Sequence, residues 1–83
     1  MNKNEEIKMI YSILEKFQEE KKDALDDKST LLMLAKKDPS STKDPTFKKA
    51  WAAVEQRLQD IELSIKLLEN RLNVISEEEE KDS

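Results

Sequence analysis

Eighty-three residues carry 15 Lys and Arg against 19 Asp and Glu, a formal net charge of −4, with charged residues at 41% of the chain. Glycine, cysteine and histidine are absent, and only two prolines occur. This inventory leaves no disulfide, no thiolate or imidazole metal centre and no thiol catalysis, and little turn chemistry for β-hairpins. One small all-α domain is the expectation.

At the N-terminus, Met1 to Glu6 lacks the basic-then-apolar pattern of a cleaved leader. The longest unbroken apolar run is Leu31 to Ala35, far short of the roughly 20 residues that span a bilayer. A soluble, cytoplasmic protein is expected. The segment Glu77 to Asp82 holds five acids and one lysine, so it accounts for the whole net charge. The remainder is neutral overall, which argues against nucleic acid and against an anionic membrane as partners.

The first helix is expected over about residues 5–37. Asn2 or Asn4 is placed to cap it, and Asn2 with Glu5 resembles a capping box. Ile7, Ile10, Tyr11, Leu14 and Phe17 follow at helical spacing, and the stripe resumes at Ala24, Leu25, Leu31, Leu32 and Ala35. Lys21 and Lys28 occupy seam positions, where their stems can cover apolar surface. Asp27 or Ser29 offers a cap for a second short helix, so a kink near residues 26–29 is the alternative. The continuous helix is favoured, because no glycine or proline interrupts the segment and the heptad phase survives it.

Lys36 and Lys37 suit a helix C-terminus, and Asp38-Pro39 forces the chain out of helix. A turn over 38–44 then leads to Asp44-Pro45, a cap followed by proline at the first helical position. The second helix is expected over 45–76. Its large apolar residues fall at Phe47, Trp51, Val54, Leu58, Ile61, Ile65, Leu68, Leu72 and Ile75. Gaps of four and three alternate without a fault, which is the seam of a helix packed on another helix. Two arms joined by so short a connection predict an antiparallel hairpin, coiled-coil-like, each arm about 45–50 Å long at 1.5 Å per residue. The acidic tail, 77–83, is expected to fray.

A second apolar set lies off the seam. Leu63, Leu67 and Val74 stand at spacings of four and seven, and Ala53 extends their line towards the turn. Met9, Ile13, Met33 and Leu34 are off the main stripe of the first helix. A hairpin buries one broad face of each arm, so some of these residues stay exposed and mark a contact with another chain. Leu63, Leu67, Val74, Ala53, Ile13 and Leu34 are the candidate partner-binding residues. A chain this short also builds a modest core, for which a second copy or a heteropartner is the ordinary remedy.

Other features point to solvated surface. The lysine pairs Lys21-Lys22, Lys36-Lys37 and Lys48-Lys49 have acids close by in sequence, unlike a phosphate site. Glu77 to Glu80 lacks the loop geometry that holds calcium. Glu15, Glu55, Glu62 and Glu69 have no histidine, nucleophile elbow or glycine loop beside them, and a two-helix hairpin offers no desolvated pocket for acid–base work. No enzyme activity, metal or cofactor is expected.

The stretch Lys43-Asp44-Pro45-Thr46-Phe47, Val54-Glu55-Gln56, Ile61-Glu62, Ile65 and Asn70-Arg71-Leu72-Asn73 resembles the small helical-hairpin co-chaperones of type III secretion needle subunits. The likeness spans about 35 residues, in which an Asp-Pro turn opens a long second helix. It implies a cytoplasmic protein that pairs with a tetratricopeptide-like chaperone and keeps a needle subunit monomeric. It brings no fixed functional residue, so the off-seam set stands on pattern alone. Needle subunits are also short hairpins with a proline-containing turn. Their polymerising helix ends in apolar residues, however, whereas Glu77 to Glu80 would bring like charges together in a filament. The alternative to a heteropartner is a self-associating coiled coil or four-helix dimer built from the same residues.

Overall fold

Asn2 caps the first helix as the sequence suggests: its backbone is extended and its Oδ1 accepts the Glu5 N–H at 2.8 Å. The computed structural model describes residues 2–82 and consists of α1 (Lys3–Lys37), a 3-10 turn (Pro39–Lys43) and α2 (Pro45–Asp82). Contacts between residues near the two chain ends, such as Glu6 with Arg71, show the helices running antiparallel. The molecule is an all-α hairpin, 62 Å in its longest dimension.

Helix α1 is continuous. Thr30 lies inside it, and its Oγ1 donates to the Asp26 carbonyl at 3.1 Å, so the hydroxyl joins the helix ladder and does not start a new one. Glu5 and Glu6 in the first turn and Lys36 and Lys37 in the last complement the helix dipole.

The chain reverses without a single positive φ among the described residues, which is how it manages without glycine. Two aspartates make the corners. Asp38 (φ −138°, ψ 88°) donates its N–H to the Leu34 carbonyl, and its Oδ1 accepts the Ser40 N–H at 3.2 Å and the Ser40 hydroxyl at 2.5 Å. Asp44 (φ −68°, ψ 129°) accepts the Thr46 N–H on Oδ1 at 2.8 Å, with Pro45 opening α2 behind it. Each corner satisfies helix-end groups that would otherwise lack partners.

Helix α2 runs longer than its pattern predicts. The sequence places its end at Ser76 with a fraying tail, yet it continues through Glu77 to Asp82; Ser83 lies outside the described residues. Glutamate and lysine are good helix formers, and no breaker follows Ile75, which is 1% exposed and anchors the final turns. With α1 starting at Lys3, the extra turns make the hairpin longer than the expected arms.

Every predicted seam residue of α2 is buried or half-buried. Opposite it, α1 contributes residues 3, 7, 10, 14, 17, 21, 24, 28, 31 and 35, again at alternating gaps and again all buried or half-buried. The core centres on Ala24, Leu58, Ile61 and Ile65, flanked by Leu14, Phe17 and Val54. Ala24 is wholly buried; its small side chain leaves room for the larger aliphatics facing it. The seam lysines behave as amphipathic fillers. Lys28 Nζ sits 5.3 Å from the Trp51 ring centroid, and Lys21 Nζ is 3.8 Å from Glu62.

Candidate protein-binding surface

With the seam occupied by positions a and d of each heptad, the flanks are lined by e and g. In α1 the g register is 6, 13, 20, 27 and 34; in α2 it is 50, 57, 64, 71 and 78. Two ion pairs show that g meets g across the hairpin. Arg71 Nε donates to Glu6 Oε1 at 2.7 Å, and Arg57 lies 3.7 Å from Asp27. The hydrogen bond from Arg71 draws the Glu6 carboxyl below its ordinary pKa against a smaller desolvation effect, and the same bond raises that of Arg71. Both pairs are solvent-accessible, so their worth lies in fixing register more than in stability.

This register locates the candidate residues. Ile13 and Leu34 belong to g of α1; Ala53, Leu67 and Val74 belong to c of α2, immediately outside g. All five therefore share one flank. Leu67 (60%) and Leu63 (58%) are the most exposed members of the set, Val74, Leu34 and Ala53 are also exposed, and Ile13 is half-buried. Leu63, at f, faces away from the seam and does not join the flank. The five divide into two groups. Ile13, Leu67 and Val74 gather in the open half of the hairpin, while Leu34 and Ala53 lie towards the turn. Fourteen residues of helix, about 21 Å, separate Ala53 from Leu67. Glu20, Asp27, Arg57 and Asp60 occupy the flank between them.

The opposite flank carries residues that sequence reasoning placed in the core stripe. Tyr11, Leu25 and Leu32 are exposed, Tyr11 at 60%. They stand one position beyond the seam residues Ile10, Ala24 and Leu31, at e of α1. The signal that separates them is the strict four–three spacing once Lys21 and Lys28 are counted as seam members. Near the turn, Leu32, Ala35, Phe47 and Trp51 line an open apolar groove of about 420 Å³. Phe47 and Trp51 stack along α2 with ring centroids 6.3 Å apart and an interplanar angle of 12°.

The described residues contain no cluster of three or more metal-ligating side chains and no helix long and apolar enough to cross a membrane. Comparison with protein-family models, with curated proteins and with solved structures finds no match. The surface presents exposed aliphatics and paired charges on a two-helix frame.

Proposed function

We propose that this chain is a non-enzymatic protein-binding module, a helical hairpin that serves as a small cytoplasmic co-chaperone of the type III secretion kind. In this reading it lends its g flank to a tetratricopeptide-like chaperone, and the pair holds a needle subunit monomeric. The observation that carries the binding role is the group Ile13, Leu67 and Val74. It remains accessible after the seam has closed, and apolar groups left together on a small polar protein mark contacts with other chains. The Asp44-Pro45 start of the long second helix, and the polar end of that helix, support the narrower assignment.

The test is co-expression with the tetratricopeptide-like chaperone and needle subunit of the same host, followed by titration of the purified components. Leu67→Glu is expected to weaken the complex 30-fold or more, the loss typical of a central contact worth about 2 kcal/mol, with the far-UV spectrum of the free chain unchanged. Equal binding by the variant refutes the flank. Failure of the wild-type chain to join the chaperone refutes the co-chaperone assignment.

A further inference from the structure

The g flank complements itself. Its α1 half is acidic at g (Glu6, Glu20, Asp27), and its α2 half carries Arg57 and Arg71 there, with Glu78 at the far end. The apolar residues are split between the same halves, with Ile13 and Leu34 on α1 and Leu67 and Val74 on α2. We propose that the occupant of this flank, when no other protein holds it, is a second copy of the chain, related by a two-fold axis parallel to the helices. This deepens the reading above and rests on the g flank being the binding face.

The charges select the axis. Two hairpins packed g flank to g flank have two isologous arrangements. An axis perpendicular to the helices lays α1 on α1 and α2 on α2, so carboxylates meet carboxylates and guanidiniums meet guanidiniums. An axis parallel to the helices lays α1 of one copy on α2 of the other, antiparallel, so Glu6 and Asp27 stand level with Arg71 and Arg57 of the second copy. The second arrangement also preserves level. The pairs Glu6–Arg71 and Asp27–Arg57 fix which residues of the two helices lie at one height. By that measure Ile13 meets Leu67 of the second copy, and Leu34 meets the small Ala50. Glu20, which makes no ion pair with a described residue of its own hairpin, falls between Arg57 and Ser64 of the other. Like-signed meetings fall at two places: Asp60 faces Glu20 and Asp23 of the second copy with Arg57 one turn away, and Glu78 nears Glu6 of the second copy, which that copy's own Arg71 holds.

Area permits it. A face 62 Å by 18 Å offers about 1,100 Å², above the roughly 800 Å² that each partner contributes to a stable complex. The product is a four-helix bundle in which every neighbouring pair of helices is antiparallel.

Sedimentation equilibrium of the full chain is expected to give a mass rising with concentration from 9.7 kDa to twice that value. Leu67→Glu is expected to hold the monomer mass throughout, with helix content unchanged. Glu20→Lys is expected to weaken self-association about tenfold, a loss that an unpaired surface residue would not produce. Nitroxide labels on Lys43→Cys then read the axis. The parallel two-fold puts both turns at one end, within about 30 Å, since packed helices lie about 10 Å apart; the perpendicular one separates them by about 60 Å. A monomer at every concentration, or turns at opposite ends, overturns the proposal. If the chain stays monomeric while Leu67→Glu still abolishes chaperone binding, the second copy is refuted and the binding flank stands. If a dimer forms that ignores both variants, and chaperone binding ignores them too, the flank itself is refuted.

Discussion

Replacing Ile61 with alanine tests the seam at its centre. Ile61 is 4% exposed and packs in the cluster with Ala24, Leu58 and Ile65. Losing three buried carbons removes about 2.5 kcal/mol at roughly 0.8 kcal/mol each. Incomplete collapse of the vacated space adds up to about 1.5 kcal/mol more, whereas the higher helix propensity of alanine returns about 0.4. The expected cost is thus roughly 2–3.5 kcal/mol, or a fall in Tm of about 10–25 °C for a domain of this size. Leu63→Ala is the internal control. It lies two residues away on the same helix but faces solvent, so its effect is expected within about 0.5 kcal/mol. Urea denaturation followed by far-UV circular dichroism measures both, at one protein concentration so that any association contributes equally. A loss below about 1 kcal/mol for Ile61→Ala, or an equal loss for Leu63→Ala, refutes the register on which the flank assignments depend.

Asp44→Ala removes the side-chain cap of α2 and is expected to cost about 1 kcal/mol, read as a lower urea midpoint with unchanged slope. Lys21→Leu fills a half-buried seam position and sacrifices an accessible pair with Glu62. It is expected to stabilise the hairpin by about 1 kcal/mol in the same assay. Because Arg71 depresses the Glu6 pKa in the folded state, the Glu6 contribution is present in full above the ordinary glutamate pKa and is lost as pH falls through the folded value. Carboxyl titration by NMR is expected to give Glu6 a midpoint below the ordinary glutamate value, and Arg71→Ala to abolish that difference.

The second helix was legible because its seam is uninterrupted from Phe47 to Ile75, and any one-residue error would have put a charge in the core. Both aspartate corners were legible too, since Asp-Pro restricts the backbone at each. The first helix was harder to phase. Lys21 and Lys28 hold seam positions that a hydrophobicity pattern omits, and Tyr11, Leu25 and Leu32 fill the gap one residue later. Their exposure reflects tertiary register, which α2 imposes. At the end of α2 charge predicts a frayed tail, yet glutamate and lysine are good helix formers, and the helix propagates past Ile75 to Asp82. Of the candidate set, the common flank of Ile13, Leu34, Ala53, Leu67 and Val74 depends on the pairing of g with g, which no single helix reveals. Leu63 was grouped with them by spacing alone.

The 3-10 turn also sets the order in which the hairpin closes. Its two aspartate corners join helix ends only a few residues apart in sequence. Ala35 and Phe47, which line one groove beside the turn, therefore come together by closing a short loop, and a loop of about ten residues closes in about 10–100 ns. Sixty-five residues separate Glu6 from Arg71, and nothing but the intervening seam brings them together. Assembly therefore zips from turn to termini, and Ile10 and Ile75 dock last. Interactions formed that late are absent from the transition state and act mainly on the unfolding rate. The buried Ile75 thus works as a latch: truncating it would leave folding speed nearly untouched and shorten the lifetime of the closed hairpin.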